Sequence, residues 1–242
     1  MTNELVKGFK DYTGEEALKR AKIKKIVEET FQNYGFEPAE TPSIEYEEFV
    51  IGNNPDDEAV SDRYRFEDKG KRKLALRYEF TFQLKRLANN KKLPYKRYQI
   101  GSVFRDEPVS SNRVRELTQC DVDIIGSTIN NEAEVLKVFS EILKKLNIDF
   151  TIYLNNRKLL NEILDELKVP DNKKEQVIRE IDKLDKLSKQ EVKENLKKYN
   201  EEKTLDIFTK PEKFFEKYKS YEELKEIKKA CALYKIKFEF VP

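Results

Sequence analysis

The chain has 242 residues, enough to bury one large core or a core plus a smaller domain. Its 48 basic and 46 acidic residues leave a net charge of +2, so bulk charge names no polyanionic partner, and any RNA must be met by local patches. Charged residues make up 39% and hydrophobic ones 38%, and neither a long apolar run nor an apolar signal core is present, which argues against a helical membrane span and makes the cytoplasm the expected location.

Histidine is absent. Ser-His-Asp triads, Cys-His pairs and His-ligated metals are therefore excluded. The two cysteines, Cys120 and Cys231, are far apart and have no zinc spacing. Any catalysis must run on carboxylates, arginines, lysines, backbone groups or a metal held by oxygen.

In chain order, Thr13 and Glu16 form a T-x-x-E pair that predicts a capping box. Ile23, Ile26, Val27, Phe31 and Tyr34 then recur at helical spacing, and Gly35 is a good stop. Pro38 and Pro42 break any helix in FEPAETPSIEY, which should be extended. GNNPDDEAV reads as a loop. A hairpin follows, with strands near Tyr64–Glu67 and Lys73–Tyr78 around a DKGK turn, and TFQLKRLANN reads as a short helix. KRYQIGSVFR and ELTQCDVDIIG are strands joined by the polar loop DEPVSSNRV. NEAEVLKVFSEILKKLNI is an amphipathic helix and DFTIYLN a strand. From Arg157 to about Phe215 the chain is helical, rich in lysine and glutamate and less core-like; a helix at KSYEELKEIKKACALYK and a strand at IKFEFV close it. No glycine occurs after Gly126, so tight backbone belongs to the first half.

The strand–loop–strand unit carries the chemistry. Side chains alternate across a strand, so Thr118, Cys120, Val122 and Ile124 should face a core while Gln119, Asp121 and Asp123 share the other side. Arg105 closes the partner strand, and the loop adds Asp106, Glu107 and Arg113. Two carboxylates and an amide beside arginines suit a cationic substrate next to a polyphosphate; a merely solvated edge is the bland alternative. Glu79 and Thr81 share a face of LRYEFT, where, taken alone, a helix amino-terminal turn explains them better than a binding role. Arg105 is either a loosely paired surface arginine or a fork of donors on an anionic oxygen.

The block RYQIGSVFRDEPVSSNRVRELTQCDVDIIG resembles motif 2 of class II aminoacyl-tRNA synthetases, and more narrowly that of histidine–tRNA ligases, in its FRDE, its arginine-bearing loop and its Q-C-D-x-D-I strand. KGFKDYTGEEALKRAKIKKIVEETFQNYGFEPAETPSIE resembles the family's opening and motif 1, with Pro42 as the motif 1 proline. LRYEFT is similar to the segment that grips the amino acid, and NNRKLLNEIL with IDKLDKLS to the insertion domain. The likeness covers essentially the whole chain.

The resemblance implies an α+β fold: a class II synthetase-like antiparallel sheet flanked by helices, with residues 1–154 and 216–242 as catalytic core and 155–215 as a helical insertion. It also implies segments that do not follow Pro242, namely R-G-L-D-Y-Y, a glycine-rich stretch, motif 3 and an anticodon-binding domain, so an amino-terminal portion with weak or no activity alone is expected. The implied reaction is ATP-dependent activation of L-histidine to histidyl-adenylate, then transfer to tRNA(His). Arg105 would meet the α-phosphate and the substrate carboxylate. Glu107 and Arg113 would serve ATP. Glu79 and Thr81 would take the α-ammonium with help from Gln119, and Asp123 would hydrogen-bond the imidazole. Leu117 stands where many members have an aromatic beside adenine. Mg2+ would come with ATP, without a direct protein cage. A homodimer with Glu37–Tyr46 at its interface is expected, with no DNA or membrane partner. The insertion would lie over the tRNA acceptor stem through Lys173, Lys174, Lys197 and Lys198, or present them on a solvated helical face. The rivals are a non-catalytic relative of the ATP phosphoribosyltransferase regulatory-subunit type and a histidine-binding module.

Overall fold

In the computed structural model, residues 3–52, 62–111 and 113–241 are described. The loop expected at 52–60 lies outside them except for Gly52. The chain forms two compact units, one of residues 1–131 with 138–148, the other of residues 132–137 with 149–242.

In the first unit, helix α1 (Gly14–Asn33) buries Val27, Thr30 and Phe31 on one stripe. It ends at Gly35, whose φ of +74° suits a residue without a side chain. The expected capping box is not formed: the Thr13 side chain makes no cap hydrogen bond. Glu16 is held instead by the Lys10 ammonium at 2.9 Å, an ionic partner that outcompetes a backbone N–H.

Strands β1 (Glu37–Pro38), β5 (Tyr95–Phe104) and β6 (Glu116–Ile125) form one sheet in the order β1-β5-β6. β6 runs antiparallel to β5, as expected. β1 is parallel to β5, which departs from a purely antiparallel sheet. Pro38 has no N–H, so the parallel contact stays short and ends with Ala39 N donating to Tyr98 O at 2.9 Å. Strands β2 (Ile44–Tyr46), β3 (Arg65–Glu67) and β4 (Lys73–Leu76) make a second, antiparallel sheet in the order β2-β4-β3, with helix α2 (Glu47–Ile51) following β2. The DKGK turn is tied by the Asp68 carboxylate, which accepts from Gly70 N and Arg72 N. This is the Asx-type turn that Asp favours. The helix expected over TFQLKRLANN contracts to α3 (Leu84–Leu87), and the left-handed Asn90 marks the turn beyond it.

The two faces of β5 have different covers. On the even-numbered face Phe31 meets Tyr98 with ring centroids 5.5 Å apart, and Gln32 Nε2 donates to the Tyr98 hydroxyl. The stretch after β4 runs along the edge of β5 away from β6 and reaches the odd-numbered face at Gly101. Phe104 N donates to Arg77 O at 2.9 Å and Arg77 Nε to Ser102 O at 2.8 Å. Gly101 permits this approach, since a Cβ there would stand 3.1 Å from Arg77 Nη2 and 3.4 Å from Phe80 Cζ. The fold thereby lays LRYEFT beside the odd face of β5 and β6. Helix α4 (Ile129–Lys145) joins the end of the first unit, where Lys145 donates to Thr30 Oγ1 and Tyr34 to Glu141.

The second unit holds helices α5 (Arg157–Glu166), α6 (Asp171–Ile181), α7 (Lys189–Lys197), α8 (Thr204–Phe208) and α9 (Tyr221–Leu233). Asn156 caps α5, and Ser188 with Glu191 forms a capping box on α7. The expected strands at DFTIYLN and IKFEFV contract to β7 (Tyr153–Leu154) and β8 (Glu239–Phe240), which pair in parallel. Residues 157–215, read from composition as less core-like, bury Leu159, Ile163, Leu164, Val177, Leu196 and Phe215. The lysines and glutamates mask a regular helical stripe.

Candidate active site

β6 pairs with β5 so that Gln119 faces Gly101, Asp121 faces Gln99 and Asp123 faces Arg97. Directly opposed residues of an antiparallel pair project on the same side. Arg97, Gln99, Gln119, Asp121 and Asp123 therefore stand on one face, as the period of two predicts for the three on β6. Arg105, just past β5, turns its guanidinium onto this face. Its Nε donates to Tyr78 O and its Nη2 to Gln119 Oε1, both at 3.1 Å. Gln119 Nε2 in turn donates to both oxygens of Asp121, at 3.0 and 2.9 Å. Two of the five N–H groups of Arg105 orient it and the remainder can meet an anionic oxygen.

Glu79 lies beside this chain of contacts. Its Oε1 accepts from Phe82 N at 3.2 Å. Burial raises its pKa above the ordinary carboxylate value; the Phe82 N–H opposes the rise, Asp121 adds to it, and the Thr81 side chain and Arg105 oppose it. Glu79, Thr81, Arg105, Gln119 and Asp121 thus share one electrostatic neighbourhood. Asp123 is reached along the strand. Burial raises its pKa, Arg97 opposes this and Asp121 adds to it. Arg97 Nη2 stands 2.5 Å from Asp123 Oδ2 and donates to Phe80 O at 3.1 Å.

The other two expected site residues are arranged differently. Glu107 and Arg113 sit on the loop between β5 and β6 and pair with one another at 2.9 Å, with the Arg113 side chain 67% exposed. Among the described residues neither is bonded to the cluster around Arg105. Beside them Arg115 joins Asp106 at 3.0 Å, and its N donates to Gly8 O at 2.8 Å, tying the loop to the start of the chain. A Cβ on Gly8 would come within 2.8 Å of Arg115 Cγ, so this approach needs glycine.

The sequence reading did not single out Arg97 and Gln99. Gln99 Nε2 donates to Thr41 Oγ1 at 2.8 Å, Thr41 donates to Gln83 Oε1, and Gln83 Nε2 donates to Glu45 at 2.7 Å. A buried polar chain therefore backs the site. Alternation from Arg105 backwards along β5 places Arg97 and Gln99 on its face, and that was the available signal. A cleft of about 350 Å³ opens on the opposite side of the sheet, lined by Lys10, Tyr12, Arg20, Lys24, Ser102 and Thr118. Glu116 also lines it, but none of Glu79, Asp121 and Asp123 does, and it is separate from this site.

Among the described residues no group of three or more His, Cys, Asp or Glu side chains is placed to hold a metal, and no helix is long and apolar enough to cross a membrane. Each of the four lysines expected to meet tRNA is engaged within the chain: Lys173 with Tyr199 O, Lys174 with Asp165 and Asp171, Lys197 with Glu194, and Lys198 with Asn195.

The architecture is shared with solved structures. A histidyl-tRNA synthetase from Nostoc sp. PCC 7120 matches the whole chain with a TM-score of 0.83 at 22% identity, the match covering 61% of that chain. An ATP phosphoribosyltransferase regulatory subunit/histidyl-tRNA synthetase from Bacillus halodurans C matches 99% of this chain and 67% of its own, with a TM-score of 0.82 at 17% identity. Both place the fold in the α+β, class II synthetase-like type.

Sequence likeness is narrower. Histidine–tRNA ligase 1 of Bacillus cereus (strain ATCC 10987 / NRS 248) is 44% identical over 187 residues, 75% of this chain and 43% of the relative. The histidine–tRNA ligase of Helicobacter hepaticus is 44% identical over 205 residues, 82% of this chain and 46% of the relative. The Histidyl-tRNA synthetase family model matches residues 8–237, and the chain belongs to that family. It spans a little under half the length of these curated relatives.

Proposed function

We propose that this chain carries the histidine-activating site of a histidine–tRNA ligase, in which ATP and L-histidine form histidyl-adenylate before transfer to tRNA(His). The observation that carries this reading is the linked set Tyr78 O–Arg105–Gln119–Asp121 with Glu79 beside it. It offers a positively charged fork next to two carboxylates, as an amino acid beside a nucleotide requires.

In the forward step a carboxylate oxygen of histidine bonds to the α-phosphorus, the bond to the bridging oxygen breaks, and pyrophosphate leaves. Negative charge grows on the α-phosphate, and Arg105 is the group held to receive it. Glu79 and Thr81 hold the α-ammonium with Gln119, and Asp123 accepts from the imidazole. A binding site that offers charged partners at both ends of the substrate rejects side chains that leave those partners buried and unpaired. No side chain acts as nucleophile, so the chemistry is positioning and electrostatics, in keeping with a chain that has no histidine. Glu107 and Arg113 serve ATP by exchanging their mutual ion pair for the nucleotide. Magnesium comes on the phosphates of ATP. The protein acts in the cytoplasm as a homodimer through Glu37–Tyr46. If the insertion meets tRNA through Lys173, Lys174, Lys197 and Lys198, it must first release the internal partners of those lysines.

Calorimetric titration with L-histidine tests the reading. Saturable binding that phenylalanine and glutamine do not reproduce supports it; equal or absent binding contradicts it. A non-catalytic role of the regulatory-subunit type is the second reading, favoured by the fold shared with the Bacillus halodurans protein. It predicts histidine binding without any histidine-dependent ATP–pyrophosphate exchange in the protein of full family length.

A further inference from the structure

Among the described residues Arg97 is the largest fully buried side chain, with no solvent exposure. A buried guanidinium is costly unless something repays it, and this one is only partly satisfied. Nη2 serves Phe80 O, while Nε and Nη1 are buried without hydrogen-bond partners. Among the described residues its ionic partner is Asp123, 2.5 Å away and 23% exposed. Asp123 Oδ2 is buried and also lacks a hydrogen bond, because the close approach of the guanidinium is not aligned as one. The pair is therefore charge-balanced but leaves the carboxylate with unused acceptor capacity. It sits at the far end of the face from Arg105, as the register sets Arg97 opposite Asp123 and Gly101 opposite Gln119. The other charged group acting on Asp123 is Asp121, on the same strand, and Asp121 is bound by the Gln119 amide.

We propose that Arg97 is a positioning and specificity-determining residue: held behind Asp123, it keeps that carboxylate an ionised, charge-compensated acceptor, so that the pocket takes the neutral imidazole through an N–H and disfavours the imidazolium. The inference rests on the histidine reading of the site. Its logic is electrostatic. An isolated buried carboxylate would pull a proton onto the imidazole or take one itself. With a fixed cation on its other side it does neither, and it accepts a hydrogen bond. Arg97 acts through Asp123 and through Phe80 O, which holds the guanidinium in place; it does not touch the reacting atoms.

The protein contains no histidine, so every imidazole signal in its NMR spectrum belongs to the ligand. The test is the titration and tautomer of 15N-labelled L-histidine bound to the wild-type chain, to Arg97→Met, to Arg97→Lys, to Asp123→Asn and to the Arg97→Met/Asp123→Asn double variant. Histidine and ATP affinities are measured alongside. Bound to the wild type, the imidazole is expected to be a single neutral tautomer at pH 7, titrating no higher than its ordinary value of about 6.5. In Arg97→Met the bound imidazole titrates about one unit higher or more and affinity for histidine falls roughly tenfold, with ATP affinity unchanged. Arg97→Lys restores the neutral form. The double variant binds histidine no more weakly than Asp123→Asn alone, because Arg97 has nothing left to position. An unaltered imidazole titration in Arg97→Met overturns the proposal, as does a parallel loss of histidine and ATP affinity with unfolding that Arg97→Lys does not correct. If the wild type fails to bind histidine, the functional reading of the site falls first and this inference with it.

Discussion

In the proposed reading much of the function rests on one side chain, Arg105. Its position is fixed by a backbone carbonyl and an amide, Tyr78 O and Gln119 Oε1, and neither is ionic. The guanidinium is thus oriented by neutral acceptors, with Glu79 acting on it only electrostatically, a preorganised state for an approaching oxyanion. Arg105→Ala is expected to lower histidine-dependent ATP–pyrophosphate exchange roughly tenfold or more in the protein of full family length; an unchanged rate would remove Arg105 from the chemistry. Glu79 gives a second test, on stability. Its folded-state pKa is raised, chiefly by burial. A carboxyl with a raised value favours the fold fully below its unfolded value of about 4.3 and loses that contribution as pH rises through the folded value. Glu79→Gln should therefore raise the melting temperature at pH 7 by roughly 1–3 °C, with the gain fading near pH 4, while histidine affinity drops. A loss of stability at pH 7 would show that Glu79 is a structural residue. At this scale the sequence was informative where alternation applied. Gln119, Asp121 and Asp123 came out on one side because they lie two apart on one strand. Glu107 and Arg113 did not join them, because a loop has no period and its charges satisfied one another.

The elements explain why these side chains meet. β5 and β6 are ten residues each and in continuous register, so one pairing fixes the whole face. The second contributor, LRYEFT, is held over β5 by Arg77 and by the missing side chain at Gly101. That contact joins residues about 25 apart in the chain, and no local pattern reveals it. Behind it runs the chain Gln99–Thr41–Gln83–Glu45, closed by two bonds from Arg86 to Glu45. Buried polar chains of this kind are costly to interrupt, since each deletion strands a partner. Thr41→Val should cost about 1–3 kcal/mol in denaturant unfolding; a cost near zero would mean that the chain of bonds does not hold the segment. Long helices and both long strands were legible in the sequence. The lengths of some short elements were not: α3, β7 and β8 fall where a helix and two strands were expected but are only two to four residues long. Tertiary contacts rather than propensity decide such lengths.

At the scale of the molecule, the parallel pairing of β1 and the core hidden inside residues 157–215 were the features least visible beforehand. Pairing direction depends on which distant segment arrives, and a helix with a charged outer face conceals a narrow apolar stripe from composition. The α1 stripe was legible in part: Val27 and Phe31 are buried as the helical spacing predicts, Ile26 and Tyr34 are half-buried, Ile23 is exposed and Thr30 takes a buried place. Phe31 is fully buried between Phe36 and Tyr98. Phe31→Ala should cost about 3–5 kcal/mol of unfolding free energy, measured by urea denaturation. Because its contacts lie on the even face of β5, the variant that still folds should keep its histidine affinity.

The central claim is that one face gathers an amino-acid grip from Glu79, Gln119 and Asp123 around the charge of Arg105. Calorimetric titration of L-histidine into the wild-type chain and into Glu79→Gln, Gln119→Ala and Asp123→Asn tests it most directly. Saturable wild-type binding that each substitution weakens roughly tenfold or more, with circular dichroism unchanged, is the predicted result. Wild-type binding that all three folded variants retain at full strength would place the histidine elsewhere and contradict the assignment of this face.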